Sequence, residues 1–422
     1  MMRSFLLKKE NDKNIVFWNL AGGALNAGQS ALILVVLSRI LEIDECGIFS
    51  LAYAVASLAL TFGMFGVRNF QASDVREKYG FKDYVISRLI TTLLMLFYIV
   101  YVAFKGLLFL DYSPYKCIVI GLVGLLKTVD AFEDVLHGRL QQRGRLDIAA
   151  KCILLRYILY FAAVAVTVVV TKNLIITFSV GLFVSITIFV ITYLFYKELL
   201  SGDTKKESGR SFGILRDCFV IAFGSFSMIY IANAPKYAID ANMDETTQAL
   251  FNYIFMPVYV VSALSTYVFQ PVITRMAEHL KNNDKKKFIE CFFKQTLIIL
   301  LLGVFVLLAG FAVGIFFLNL LYKVELSSFK PTFMILLFSG CLLAFSSFLS
   351  VCIIVLRRQN FLIIGYFIPA LIAFVLSDKM VVTYNVPGAG FLYFVTVAIQ
   401  LIVFAIVFLI SYKTYKTMNK HE

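Results

Sequence analysis

Charged residues are scarce in this chain of 422 residues. Asp, Glu, Lys and Arg make up only 15% of it, whereas hydrophobic residues make up 60%. Soluble domains carry about 25% charged residues, so this composition excludes an ordinary soluble protein. Apolar runs of about 18 residues or more recur from end to end, and each is long enough to cross a bilayer. The sequence therefore predicts a polytopic membrane protein.

The chain also lacks the residue spacings that mark disulfides, metal sites and enzymes. Its seven cysteines are scattered and never spaced as CxxC, and its three histidines lie far apart. This pattern predicts neither disulfides nor a metal site, and we expect no cofactor. The sequence contains no Walker loop, HExxH or GxSxG motif, so we expect a protein that is not an enzyme and does not hydrolyse ATP.

Twelve apolar segments have the length of membrane spans, which predicts an all-α protein. The longest polar interval, 197–217, divides them into six and six. We therefore expect an N-terminal lobe at 1–200, a polar cytoplasmic linker at 201–213 and a C-terminal lobe at 214–422. Two lobes with a joint suit alternating access, although an ordinary long loop would have the same composition. The predicted spans are 15–38, 46–67, 84–104, 116–137, 152–171, 174–196, 214–235, 248–271, 295–321, 332–356, 361–377 and 389–411.

Lysine and arginine are distributed unevenly between the two sides of these spans. With the N-terminus inside, 30 of the 39 lie on the cytoplasmic side, including Arg88 and Arg156. Eight lie on the opposite side, including Lys236, and Lys127 lies within a span. The positive-inside rule then places both termini in the cytoplasm. Because the cations follow topology, we expect no nucleic-acid partner.

The fourth predicted span has a polar face. Lys127, Asp130, Glu133, Asp134 and His137 fall within about 120° of arc on one side of a helix. Charge in hydrocarbon is costly, so such residues usually face a bundle interior or a water-filled cavity. We expect a functional role for Lys127 and Asp130, whereas Glu133, Asp134 and His137 fit solvation at the interface equally well. Asp130, Glu133 and Asp134 are our candidates for coupling to a proton or sodium ion.

Polar stripes in other spans, in both halves of the chain, outline a hydrated cavity. Any single stripe is explained as well by helix packing, but several stripes in both halves favour a cavity. Arginine suits phosphate through its planar fork, and lysine does so as a point charge. For Arg68, Lys236 and Arg275 the alternative is snorkelling to the membrane interface. The predicted cavity residues are Asn26, Tyr53, Arg68, Lys127, Arg156, Asn233, Lys236, Asn252 and Arg275.

Three segments carry a family resemblance, namely Arg39–Tyr53, Gly138–Lys151 and Pro235–Asp240 followed by Tyr253. They resemble the polysaccharide-transporter branch of the multidrug/oligosaccharidyl-lipid/polysaccharide (MOP) exporter superfamily, and within it the O-antigen flippases. The resemblance implies two six-helix lobes around a central cavity that opens alternately to each side. It also implies an undecaprenyl-diphosphate-linked oligosaccharide as substrate, moved from the cytoplasmic to the periplasmic leaflet of a bacterial inner membrane.

Such a flippase serves lipopolysaccharide or other surface polysaccharide export, so a polysaccharide polymerase and a chain-length regulator are implied partners. The energy source stays open between the membrane potential, a proton and a sodium ion. One alternative function is a multidrug or small-solute cation antiporter of the same architecture. Another is a membrane-embedded glycan polymerase, which we expect to carry a large external loop that this chain lacks.

Overall fold

A computed structural model describes residues 2–74, 78–200, 209–282 and 284–418 of the protein. Within these ranges the chain is helical and contains no strand, which confirms the predicted all-α class. It divides into two compact units, Met1–Ile229 and Tyr230–Glu422. Most of the predicted linker, residues 201–208, lies outside the described residues.

Unit 1 is built from helices whose starts are fixed by polar caps. The Ser113 side chain accepts a hydrogen bond from the Lys116 backbone N–H at 3.2 Å, with Pro114 in the first turn, which favours a helix start. The Asn173 side chain accepts from the Ile176 backbone N–H at 3.1 Å. The helices of unit 1 are α1 Met2–Leu7, α2 Asp12–Leu37, α3 Ile43–Met64, α4 Val67–Ser73, α5 Phe81–Phe109, α6 Pro114–Gln142, α7 Leu146–Thr171, α8 Leu174–Tyr196 and the first part of α9 Ser211–Asn242.

Helix α6 occupies the interior of unit 1. It packs against α3, α4, α5, α7 and α8, so most of its circumference is covered by protein. Gly63 on α3 and Gly138 on α6 allow close approach, because a Cβ at Gly63 would lie 2.6 Å from Met95 Sδ and one at Gly138 would lie 2.1 Å from Gln71 Oε1. The polar face predicted for the fourth span is thereby enclosed by helices.

Unit 2 has an apolar, aromatic core. Phe292 stacks on Phe408 with ring centroids 4.7 Å apart and on Phe348 at 5.6 Å. A π-helical turn at Gly310–Gly314 continues α11 into α12, and non-helical backbone at Asn385 (φ 54°, ψ −140°) interrupts α14. The helices of unit 2 are the remainder of α9, α10 Glu245–Lys281, α11 Lys285–Ala309, α12 Ile315–Tyr322, α13 Lys330–Val355 and α14 Leu362–Met418.

Each of the twelve predicted spans corresponds to a long helical segment of the described chain. The α11–α12 pair forms one of them, and the two parts of α14 form two. By length and composition, nine stretches of the described residues can cross a membrane. One of the nine, Gln359–Lys413, contains both parts of α14, and the nine omit α6, which has many ionisable residues, and α10.

The predicted end of the seventh span at residue 235 is wrong. Helix α9 continues to Asn242 with Pro235 inside it. Proline removes one backbone hydrogen bond, but a long helix in an apolar setting tolerates that loss. As a consequence Lys236, which we counted with the outer loops, lies within a helix.

The surfaces of several helices are apolar, as expected for contact with lipid. On α5, Leu93, Phe97, Val100 and Phe104 are each at least 60% exposed. Exposed apolar surface of this extent marks contact with another apolar phase rather than with water. Unit 1 therefore combines an apolar exterior with a charged interior.

Candidate functional site

All five ionisable side chains of the α6 face are buried in unit 1. Lys127, Glu133 and His137 are at most 2% exposed, and Asp130 and Asp134 are 6% and 8% exposed. The alternative that Glu133, Asp134 and His137 are solvated at the membrane interface is therefore wrong. A charge buried to this degree needs a charged or hydrogen-bonding partner, and such partners come from α2, α4, α5 and α7.

The first set of partners forms a balanced network of two cations and two carboxylates. Lys127 Nζ lies 3.0 Å from Asp130 Oδ2. Arg156 Nη2 lies 2.6 Å from Asp130 Oδ1 and 2.7 Å from Glu133 Oε2, and Arg156 Nη1 donates to Ser185 Oγ at 3.0 Å. Asp130 thus bridges both cations, and the Arg156 guanidinium is fully engaged with partners on α6 and α8.

Neutral polar groups on α2, α3 and α7 surround this network. Lys127 donates to Gln29 Oε1, and its ammonium lies 5.0 Å from the centre of the Tyr53 ring. Tyr53 also donates to Gln29 at 3.3 Å, and Tyr157 donates to Asn26 Oδ1 at 2.8 Å. These contacts bring the predicted residues Asn26 and Tyr53 to the α6 face.

The second network has a surplus positive charge. Asp134 Oδ2 lies 2.7 Å from Arg88 Nη2, and Asp134 Oδ1 lies 3.4 Å from Arg68 Nη1. Arg88 also donates to the Gly63 carbonyl, and Arg68 reaches Gln141 Oε1 at 3.5 Å. One carboxylate therefore serves two arginines. Arg88 is fully buried, whereas the Arg68 side chain is 26% exposed, so Arg68 is the accessible cation of the pair.

Local backbone geometry places Arg68 beside α6. Phe65 (φ 47°) and Gly66 (φ 69°) are both left-handed, which ends α3 and turns the chain into the short helix α4. Glycine suits the second position, because left-handed backbone disfavours a side chain and a Cβ there would lie 2.7 Å from Ile221. The turn sets α4 against α6, with Arg68 two residues beyond Gly66.

A cavity of about 320 Å³ opens within unit 1 next to both networks. Its one carboxylate among the described residues, Asp134, is shared between two arginines, and its cations are Arg68 and Lys127. The remaining polar groups are hydroxyls and amides. The lining residues are Asn26, Tyr53, Ser57, Leu60, Thr61, Met64, Gly66, Arg68, Asn69, Lys127, Asp134, Ser225 and Ile229.

A smaller cavity of about 70 Å³ shares part of its lining with the first and is also lined by Glu133 and His137. Glu133 Oε2 accepts from Arg156, but Glu133 Oε1 has no hydrogen-bond partner in the described chain. His137 Nε2 also has none there and lies 3.8 Å from Glu133 Oε1. Among the three candidate coupling carboxylates, Glu133 is the one with an oxygen available to an ion or a water molecule.

The four predicted cavity residues of unit 2 are not clustered as those of unit 1 are. Lys236, Asn233 and Asn252 are buried, and Lys236 Nζ lies 5.1 Å from the centre of the Phe255 ring. Arg275 is exposed near the end of α10 and is not brought to the buried residues. These four side chains do not form a charged network like that of unit 1.

Sequence reasoning missed Arg88, which we had counted with the cytoplasmic cations. Arg88 is fully buried in α5, seven residues after its first residue, and it neutralises Asp134. The signal was present, because Arg88 lies inside the predicted third span and so needed a partner. Gln29 and Ser185 could not be distinguished from ordinary helix-packing residues.

The fold of this chain is similar to that of several solved membrane transporters. Among solved structures, a multidrug resistance MATE family transporter of the MOP superfamily in an inward-facing conformation aligns with a TM-score of 0.66 and 14% identity, over 93% of this chain and 96% of that chain. A MOP superfamily transporter from Pyrococcus furiosus aligns with a TM-score of 0.57 and 14% identity, over 99% of both chains. The eukaryotic MATE transporter AtDTX14 aligns with a TM-score of 0.58 and 14% identity, over 97% and 98%.

These similarities are to structures at low sequence identity, so they establish the fold. No protein-family model matches the chain. No curated protein matches its sequence. The protein therefore has the two-lobed, all-helical fold of MATE transporters of the MOP superfamily, and its similar structures are transporters rather than enzymes.

Proposed function

We propose that the protein flips an undecaprenyl-diphosphate-linked oligosaccharide repeat unit, of O-antigen or a similar surface polysaccharide, across the membrane by alternating access. The observation that carries this proposal is the charge of the larger cavity of unit 1. Arg68 and Lys127 line it, and its one described carboxylate, Asp134, is already shared by two arginines. Such a wall attracts an anion and has no free carboxylate for a cation.

Arg68 is our candidate for the diphosphate contact. Its guanidinium is partly exposed and only loosely held, with its shortest polar contact at 3.4 Å, whereas Arg88 reaches the same carboxylate at 2.7 Å. A diphosphate can therefore engage the Arg68 fork without leaving Asp134 unpaired. Arg156 is more tightly bound by Asp130 and Glu133, so we assign it to holding the networks in place.

The neutral groups of the same cavity suit the sugars. Moving a hydroxyl from water into hydrocarbon without a partner costs a few kcal/mol, so an oligosaccharide needs polar contacts throughout its passage. Tyr53, Ser57 and Thr61 present hydroxyls along α3, and Asn26 and Asn69 present amides from α2 and α4. This mixture of hydroxyls, amides and cations matches a glycan attached to a diphosphate.

Glu133 is our candidate for coupling transport to an ion. Asp130 is held by two cations and Asp134 by two arginines, but Glu133 keeps one unpaired oxygen facing His137 at 3.8 Å. A proton can bind there at the cost of one of the charges that hold Arg156. Whether the membrane potential also drives the flip depends on the net charge that moves.

The proposal includes a cellular setting. We place the protein in the cytoplasmic membrane of a bacterium with both termini in the cytoplasm, on the basis of the lysine and arginine asymmetry. Its implied partners are the polymerase and the chain-length regulator of the same polysaccharide. The deep burial of charge in unit 1 is consistent with a transport path rather than with a surface anchor.

A multidrug cation antiporter fits the fold equally well. Two of the similar structures are multidrug resistance transporters. For the Pyrococcus furiosus transporter, reverse polarity of the binding pocket suggests a different function. We favour an anionic cargo here because the larger cavity of unit 1 has surplus positive charge, which repels an organic cation.

Deleting the gene and analysing lipid-linked intermediates separates the two functions. A flippase mutant accumulates oligosaccharyl diphosphate lipid in the cytoplasmic leaflet, with unchanged drug susceptibility. A drug antiporter mutant becomes more sensitive to cationic drugs and accumulates no such lipid. Complementation with the wild-type gene is the control, and the second pattern would overturn the proposal.

A further inference from the structure

Unit 2 contains a buried lysine whose charge has no protein counter-ion. Lys236 on α9 is 4% exposed and is the one buried charged side chain of unit 2 among its described residues. Within that part of the chain Lys236 forms no ion pair. Its contacts are with aromatic rings, at 5.1 Å from the centre of Phe255 and 5.5 Å from the centre of Tyr259.

This arrangement is unusual because burial of an unpaired ammonium is costly. A cation over an aromatic face gains less than the loss of hydration costs, so the two rings do not compensate for the burial. Two buried lysines of unit 1 do have protein counter-ions, since Lys127 Nζ lies 3.0 Å from Asp130 Oδ2 and Lys151 Nζ lies 2.7 Å from Glu10 Oε1. A buried cation that the protein leaves unpaired indicates a partner that comes from outside the chain.

Aspartates occur on α9 and α14, but no described carboxylate forms an ion pair with Lys236. Tyr237 and Asp240 follow it on α9, Tyr259 faces it from α10, and Tyr393 contacts Phe255 from α14 with ring centroids 4.8 Å apart. Asp378 on α14 lies further along α9, where it accepts from Asn242 at 3.5 Å. Neither aspartate forms an ion pair with Lys236.

We propose that Lys236 is an anion-binding group of unit 2, which receives an oxyanion of the transported molecule beside the rings of Phe255 and Tyr259. The oxyanion is a phosphate of the lipid carrier or a carboxylate of an acidic sugar. This inference rests on the proposed function for the nature of the cargo. It gives unit 2, whose described residues include one buried charged side chain, an anion-binding group of its own.

Two measurements on the purified full chain in detergent test this role. The first is the thermal unfolding of ligand-free Lys236→Gln. A lysine kept for an external anion destabilises the empty protein, so we expect an unfolding midpoint equal to or above that of wild type. A lysine that holds the fold together would give a lower midpoint, and that result would overturn the proposal.

The second measurement is calorimetric binding of two soluble anions, geranyl diphosphate and octyl glucuronide, with octyl glucoside as the uncharged probe. We expect Lys236→Gln to weaken the binding of one of the two anions at least about tenfold, because one charge-assisted hydrogen bond is lost. Lys236→Arg should keep most of the affinity. Weaker geranyl diphosphate binding assigns a phosphate, and weaker octyl glucuronide binding assigns an acidic sugar. Unchanged binding of both anions would overturn the proposal.

A matched control is Lys330→Gln. Lys330 also lies over an aromatic ring in unit 2, at 4.2 Å from the centre of Phe311, but it is partly exposed at the start of α13. We expect it to change neither the midpoint nor anion binding. The binding experiment does not depend on transport. If the wild-type protein failed to flip lipid-linked oligosaccharide, the proposed function would be refuted, but anion binding by Lys236 could still be measured.

Discussion

The two units are both helical but have different interiors. Unit 1 buries many charged side chains, and two networks around α6 pair most of those that face the cavities. Unit 2 is filled by stacked phenylalanines such as Phe292 and Phe408 and buries one charged side chain among its described residues, Lys236. The buried ionisable residues of unit 1 are Asp83, Arg88, Lys116, Lys127, Asp130, Glu133, Asp134, His137, Arg139, Asp147, Lys151 and Arg156.

This difference supports the proposal that unit 1 binds the charged cargo. A buried ion pair stabilises a protein little compared with apolar packing, so stability does not explain the networks of unit 1. Their position beside two polar cavities suits the binding of a charged cargo and an ion. Unit 2 has the apolar core of a membrane bundle, and Lys236 is the one buried charged side chain among its described residues.

The largest effect on stability is expected from Arg156→Ala in unit 1. The change leaves Glu133 buried without a cation, and removing one partner of a buried ion pair costs about 3–5 kcal/mol. We expect poor expression and a strongly lowered unfolding midpoint. Arg275→Ala, an exposed arginine of unit 2, is the matched control and should cost less than about 0.5 kcal/mol. Equal midpoints for the two variants would show that the network is not needed for folding.

The next largest effect on stability is expected to differ between single substitutions of Lys127 and Asp130. Asp130 forms ion pairs with both Arg156 and Lys127, so Lys127→Met leaves the Asp130 carboxylate paired with Arg156. Asp130→Leu instead leaves the buried Lys127 ammonium without a counter-ion. We expect the second change to cost about 3 kcal/mol and the first to cost less. Thermal unfolding of the purified variants measures the difference, and the reverse order would contradict the network.

The double variant of this pair tests function apart from folding. With Lys127→Met and Asp130→Leu together, Arg156 and Glu133 still pair one to one. We expect normal expression and a loss of transport, measured as polysaccharide at the cell surface. A double variant that exports wild-type amounts would mean that the pair is structural and would remove the main functional distinction between the units.

A smaller effect on stability is expected from Glu133→Gln. The amide oxygen can still accept from Arg156 while the titratable group is lost, so we expect a stability change of about 1–2 kcal/mol. If Glu133 carries the coupled proton, transport into vesicles loses its dependence on pH in this variant. Retention of the wild-type pH profile would direct the search for the coupling site to another residue.

The smallest effect on the protein is expected from single cysteines in the loops, which test the orientation common to both units. In a background without the seven native cysteines, labels near Tyr112 in unit 1 and near Asn385 in unit 2 should react from the periplasm. Labels near Gly144 and Asp284 should react only after permeabilisation. External reaction at Gly144 would reverse the proposed topology.

The helices and the polar face of α6 could be predicted from the sequence, because hydrophobic length and helical periodicity are local properties. The residues that pair with that face could not be predicted. Arg88 and Gln29 contact this face from α5 and α2, and Ser185 on α8 accepts a hydrogen bond from Arg156, the partner of the face on α7. Which residues become partners depends on packing that local patterns do not encode. The end of the seventh span was missed at Pro235, because a proline signals a break in most sequences but is tolerated within α9.

The most direct test of the claim that unit 1 binds an anionic cargo is to measure transport by the Arg68→Ala variant. Arg68 is the accessible member of the network with surplus positive charge, and its loss leaves Asp134 paired with Arg88, so folding should be unaffected. We expect surface polysaccharide to be abolished at wild-type expression, with partial recovery in Arg68→Lys, which keeps the charge but loses the bidentate fork. Normal polysaccharide in Arg68→Ala at equal expression would contradict the assignment of the diphosphate to this cavity.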